Sequence, residues 1–163
     1  MNRSMTRRYG RGPRGVRVVG SVPLNHGPNT TIVGLLGMDG VSAVATLEGA
    51  INGARFQHYV EQTLGPTLVA GDVVIMDNLP AHKVAGIAAA IQHRGAQLVY
   101  LPPYSPDMSP IEHCWSKVKA YLRRAKARSQ EALETALGEA LDQVTISDAQ
   151  GWFNHCGYAI QQK

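Results

Sequence analysis

A chain of 163 residues with 44% apolar and 17% charged residues has the size and composition of one globular domain, which excludes a disordered or fibrous polymer. No apolar run approaches the roughly 18 residues needed to span a bilayer. The polar, arginine-rich start from Met1 to Arg17 excludes a secretory signal, so a cytoplasmic location is expected. The net charge of +4 is unevenly placed. Arg3, Arg7, Arg8, Arg11, Arg14 and Arg17 all precede the first acid, Asp39, and a second basic run holds Lys117, Lys119, Arg123, Arg124, Lys126 and Arg128. Such blocks suit a phosphate backbone; they also suit an ordinary solvated face. Cys114 and Cys156 are too few for a disulfide framework and lack zinc spacing, so both are expected as free thiols.

Taken in chain order, the segment up to about Gly15 reads as irregular, and Val16 to Val19 as a candidate short strand. Thr30 to Gly37 and Val41 to Leu47 read as strands joined at Asp39-Gly40, a hairpin signal because both residues tolerate positive φ. Asn52 to Leu64 fits an amphipathic helix with Phe56, Tyr59, Val60 and Leu64 near one face. Val73 to Met76 is a short continuous apolar run, the pattern of a central strand buried on both faces. Val84 to His93 reads as a helix, and Leu98 to Leu101 as another short buried strand. Pro102, Pro103, Pro106 and Pro110 then fix an extended connector. Helices are expected from Pro110 to Arg124, from Gln130 to Val144 and from Ser147 to Cys156. Strands first, then strands alternating with helices, give an α/β class with a mixed sheet.

In open α/β sheets, ligands gather at the carboxyl ends of strands. Asp77 sits there, directly after Val73-Val74-Ile75-Met76. It is either a cation ligand or the cap of the turn through Asn78 and Pro80. A second acid, Glu112, occupies the third position of Ser109-Pro110-Ile111-Glu112, which has the form of a capping box. The helix that follows puts Glu112, Ser116, Lys119 and Arg123 on one face, an acid followed by bases, beside an apolar stripe of Ile111, Trp115, Val118 and Leu122. Asp39 is a poor third acid, because its hairpin turn lies away from the strand ends.

The combination is more specific than its parts. Met76-Asp77-Asn78-Leu79-Pro80-Ala81-His82 is followed by Leu101-Pro102-Pro103-Tyr104-Ser105-Pro106-Asp107-Met108-Ser109-Pro110-Ile111-Glu112, with 34 residues between Asp77 and Glu112. This resembles the catalytic domain of mariner-superfamily and related bacterial insertion-sequence transposases, which carry an Asp-Asp-Glu triad. The resemblance runs from Met5-Thr6-Arg7-Arg8-Tyr9-Gly10-Arg11 to Asn154-His155-Cys156-Gly157-Tyr158. It implies an RNase H-like fold, with a mixed central sheet flanked by helices, and two Mg²⁺ (or Mn²⁺) ions held by the acids for phosphodiester cleavage and strand transfer. It makes Asp77 the second acid and Glu112 the third, both catalytic and metal-binding. Asn78 and His82 match the family's signature as orienting or DNA-contacting groups, with Lys119 and Arg123 as further DNA contacts. The partners implied are terminal inverted repeats, target DNA and a second copy of the chain, with no membrane.

In the family the first Asp lies on a first strand upstream of the segment resembling Met5 to Gly10. The expectation is therefore a domain without its first strand, first acid or helix-turn-helix region, inactive alone. Degeneration, a frameshifted second frame and a misplaced start would each explain this. The competing expectation is a non-catalytic DNA-binding or dimerising remnant.

Overall fold

The computed structural model describes residues 1–7 and 9–159. The first two strands, β1 (Thr30–Gly37) and β2 (Gly40–Glu48), form the expected antiparallel hairpin around Met38-Asp39. Its register slips between Val33 and Leu35, opposite Ala43, which takes a positive φ of 48°. That bulge is tied down from outside the sheet: the Tyr59 hydroxyl donates to the Ala43 carbonyl at 2.9 Å. Burial pushes the pKa of Tyr59 up, so it stays a donor.

Asn52 caps α1 (Gly53–Tyr59) by accepting from the Arg55 N–H. The helix runs on through a π-helical turn at Val60–Leu64 before Pro66 ends it. Next come β3 (Val73–Met76), α2 (Ala85–His93) and β4 (Gln97–Tyr100); β3 and β4 pair in parallel, Val73 opposite Gln97 and Met76 opposite Tyr100. A strand–helix–parallel strand unit needs just such a crossover helix. Three helices close the chain: α3 (Pro110–Ala125), α4 (Gln130–Asp142) and α5 (Ile146–His155). The expected element boundaries hold to within two residues from Thr30 onward. Val16 to Val19 form no strand; they lie exposed in an irregular arm, without a neighbouring edge to pair with.

There are two hydrophobic clusters. One packs Cys114, Val118 and Leu122 of α3 with Leu133 and Leu137 of α4 and Ala149 of α5. The other packs Phe56, Tyr59, Val60, Ile87 and Ile91 around Val74 and Met76. Strand β1 is the wall between them. Ile32 and Leu36 face the first cluster, while Val33 and Leu35 face the second, as the two-residue period of a strand requires. Trp115 of α3 lies over Gly34, where an added Cβ would meet the indole at 3.3 Å.

Among the described residues the strands make two separate two-stranded sheets, β1–β2 and β3–β4, rather than one mixed sheet. A cleft of about 360 Å³ lies between them, lined by Thr31 to Leu36 of β1 and by Val73 to Met76 of β3. This corrects the expectation that β3 and β4 are buried on both faces. Val73 is 54% exposed, Ile75 37% and Val99 45%, because only one face of this pair is covered. Among the described residues, no helix is long and apolar enough to cross a membrane.

Candidate active site

Asp77 leaves the carboxyl end of β3 and is braced on two sides. Its Oδ1 accepts from the Leu79 N–H at 3.1 Å, an Asx-type turn that the Asp-Asn-Leu-Pro sequence favours. The same oxygen lies 2.6 Å from His82 Nδ1, a close contact without hydrogen-bond alignment. The Asp77 side chain keeps 47% of its surface in solvent, against 17% for His82. The carboxylate is thus open to a ligand while its neighbour is fixed.

His82 is fixed by residues that the sequence motif does not include. Its ring lies 4.1 Å, centroid to centroid, from that of Phe56 of α1, and its backbone carbonyl accepts from the Tyr100 hydroxyl at 2.7 Å. Phe56 had been legible only as a core residue, and Tyr100 only as a strand residue. Their common role appears when α1 and β4 are seen to converge on the turn after β3. Asn78 is half-buried, and its Oδ1 is buried with no hydrogen-bond donor.

Glu112 is exposed in the first turn of α3, and among the described residues it has no ion pair. The capping box expected at Ser109 does not form. Ser109 makes no side-chain cap, and the Glu112 N–H donates to the Ser109 carbonyl at 3.1 Å. A true capping box stands instead at Thr145 and Asp148, at the start of α5. The capping-box explanation for a glutamate at this place is therefore removed. Asp77 and Glu112, which come from different elements and different clusters, line the same cleft together with His82. Among the described residues, no three of His, Cys, Asp and Glu group as a metal site. Asp39 stays in the hairpin turn, outside the lining of this cleft.

On α3, Glu112, Ser116, Lys119 and Arg123 are all exposed, as their spacing requires. The basic run is otherwise less free than the sequence suggests. Lys117 donates to the Asp148 carboxylate at 2.5 Å and to the Gln143 carbonyl, holding α5 against α3. Arg124 lies over the Tyr121 ring, and Arg128 is spent on backbone carbonyls. Both cysteines are free, and burial pushes the Cys114 thiol up to about 11, which keeps it protonated.

The profile of the family described as DDE superfamily endonuclease matches residues 1–134 of the chain. The chain belongs to that family. Among curated proteins, this DDE endonuclease is 24% identical over 129 residues to the Tc1 transposase of Caenorhabditis elegans, covering 76% of the chain and 47% of that protein. It is 27% identical over 109 residues to the Tcb2 transposase of Caenorhabditis briggsae, covering 64% and 40%. The chain therefore spans under half the length of these relatives. Among solved structures, the pre-cleavage Mos1 transpososome superposes with a TM-score of 0.68 at 16% identity, over 93% of this chain and 48% of that one. The Mos1 catalytic domain with Raltegravir and Mg superposes with a TM-score of 0.62 at 14% identity, over 79% and 76%. The fold is that of a transposase catalytic domain, mixed α/β and RNase H-like.

Proposed function

We propose that this DDE endonuclease is the larger, C-terminal part of a transposase catalytic domain that cuts and rejoins DNA phosphodiesters, with Asp77 and Glu112 as two of three metal-binding acids. One observation carries the proposal: two solvent-exposed acids from separate elements, neither paired with a lysine or arginine among the described residues, line one cleft between the two sheets. The oxygen donors there fit a hard divalent cation, because exposed carboxylates leave room for water and phosphate ligands. Neighbours of the same fold include Mos1 paired-end complexes with Mn and with Mg. Mg²⁺ or Mn²⁺ bound there would supply Lewis-acid activation of the attacking oxygen and stabilise the leaving one. Asp77 and Glu112 would hold the cation and His82 would orient Asp77, with Asn78 next to Asp77 in the turn after β3 as a further orienting or DNA-contacting group. Lys119 and Arg123 continue the face of Glu112 and suit the incoming backbone.

The third acid belongs on a strand seated in the cleft, antiparallel to β1 and parallel to β3, which would join the two sheets into one. Among the described residues β1 and β3 each pair along one edge only, and an unpaired edge is open to mispairing. Transposon-end DNA, target DNA and a second copy are the partners this reading implies; the relatives are transposases, and the Mos1 neighbours include paired-end complexes. The narrower affiliation with bacterial insertion sequences rests on the motif resemblance alone. A non-catalytic DNA-binding or dimerising remnant is the second reading, favoured by the lack of a three-acid cluster among the described residues.

The test is to compare this chain with a version extended by an upstream strand ending in Asp and by a DNA-binding region. The chain alone should not nick terminal-repeat DNA with Mg²⁺ or Mn²⁺; the extended protein should. In it, Asp77→Ala or Glu112→Ala should lower cleavage at least about 10²–10³-fold, the scale for removing one preorganised electrostatic group. Asp39→Ala should leave it largely intact. Cleavage that survives Glu112→Ala would end the proposal.

A further inference from the structure

The residues before β1 form an arm that the candidate site does not use. Residues 7 and 9–20 are exposed, yet the arm has a defined shape. The Val16 N–H donates to the Pro13 carbonyl at its tip, and Gly15 takes a φ of +83° there. Its two legs lie so close that a Cβ on Gly10 would come within 2.7 Å of Val18, and one on Gly12 within 2.9 Å. At its root, Arg128 buckles the legs together: its guanidinium donates to the carbonyls of Arg3 at 2.9 Å and Met5 at 3.4 Å on one leg, and of Ser21 at 3.2 Å on the other.

Next to that root, the arm and the last turns of α3 enclose an open cavity of about 610 Å³, lined by Thr6, Arg7, Tyr9 and Arg123. Arg7 and Arg123 are far apart in sequence, yet both line one open depression. Neither has a carboxylate partner among the described residues, and no acid lines the cavity. Two uncompensated cations brought to one place repel each other, unless an anion sits between them. Thr6 and Tyr9 carry hydroxyls that can donate, and two arginines repel a cation, so the set suits a tetrahedral oxyanion.

We infer that this cavity binds a backbone phosphate of DNA, gripped between Arg7 and Arg123, and that Arg128 is the positioning residue that holds the arm in place to do so. The identity of the polyanion rests on the transposase reading; the phosphate chemistry rests on the cavity itself. Arg123 follows Glu112 by three helical turns, about 16 Å along the axis at 1.5 Å per residue. A duplex lying along α3 would rise about five base pairs over that distance. The cavity thus grips the backbone away from the scissile bond and sets the register of the strand presented to Asp77 and Glu112.

The experiment measures binding of the whole chain to a duplex of roughly 20 base pairs by fluorescence anisotropy, in chelator, between about 50 and 200 mM salt. Arg7→Gln and Arg123→Gln should each weaken binding about 3–10-fold at the lowest salt and reduce the slope of log K against log salt by about 0.9, one phosphate's share. Because the two share one phosphate, the double variant should lose about 0.9 and not about 1.8. Arg128→Ala should weaken binding in the same direction, although its own side chain faces the arm's carbonyls. Arg14→Gln, an equal charge change at the arm tip, should alter the slope less. Equal effects of Arg14→Gln and Arg7→Gln, a double-variant loss of about 1.8, or unchanged slopes would overturn the site. So would variants that changed self-association and left DNA binding alone, which would make the arm a contact for a second copy. Chelator keeps the catalytic proposal out of the measurement, so absent cleavage and absent phosphate binding are separate failures.

Discussion

The two acids of the cleft are held in opposite ways. Asp77 is clasped by the Leu79 N–H and by His82, and His82 in turn is wedged by Phe56 and tied by Tyr100. Glu112 rides on a long, well-packed helix, and among the described residues its carboxylate has no hydrogen-bond or ion-pair partner, not even the serine that the sequence offers. One acid is preorganised by its neighbours, the other only by its backbone. Preorganised ligands fix where a cation sits, while a free one can follow it as bonds are exchanged. The difference suits a site in which one ligand is the anchor and another adjusts.

The largest effect that could break this contrast is at His82. In the strand-completed protein, His82→Ala should lower Mn²⁺ affinity, read by calorimetry, about 10–100-fold, the usual consequence of losing a group that orients a metal ligand. His82→Gln, which keeps a polar atom near Asp77, should recover part of the loss. An unchanged affinity in both would mean that the clasp on Asp77 is only structural. A smaller effect sharpens the other half. Ser109→Ala should change stability by less than about 0.5 kcal/mol, because no cap is made there, whereas Thr145→Ala should cost about 1 kcal/mol in urea melts. Equal costs would return Glu112 to a capping role.

The smallest effect concerns how α5 is fastened beside α3. The Lys117 ammonium, then the Thr145 N–H and hydroxyl, hold the Asp148 carboxyl down at about 2. A carboxyl lowered on folding stabilises the folded chain above its unfolded value, near 3.9, and that contribution fades as pH falls through about 2. Lys117→Met should therefore flatten the acid limb of stability between about pH 4 and pH 2, followed by urea melts at each pH. Both groups are partly in solvent, so the change is modest.

The sequence made the element order legible because periodicity, prolines and the Asp-Gly turn are local signals, and each element from Thr30 onward lies close to where they put it. It also put Asp77 at the end of β3 and Glu112 in the first turn of α3, and the two line one cleft. Three things were out of reach for one reason: they depend on what an element packs against. The exposed faces of β3 and β4 follow from the split between the sheets, which an apolar run such as Val73 to Met76 cannot report. The failed cap at Ser109 follows from its backbone, at φ −111° and ψ 97°. The brace of His82 by Phe56 and Tyr100 joins three segments that no local pattern connects.

The division of the interior into two clusters has its own consequence. Asp77 grows from the cluster of α1 and α2, and Glu112 from that of α3 to α5, with the β1–β2 hairpin and the Trp115–Gly34 contact between them. The spacing of the two carboxylates is therefore a property of how two bodies meet, and of neither body alone. Substitutions deep in α4 or α5, at Leu133 or Ala149, can retune the site from a distance by tilting α3 against β1. For such a domain the hairpin β1–β2 works as a mechanical bearing, and drift in its packing is a route by which activity can change while every residue of the motif stays in place.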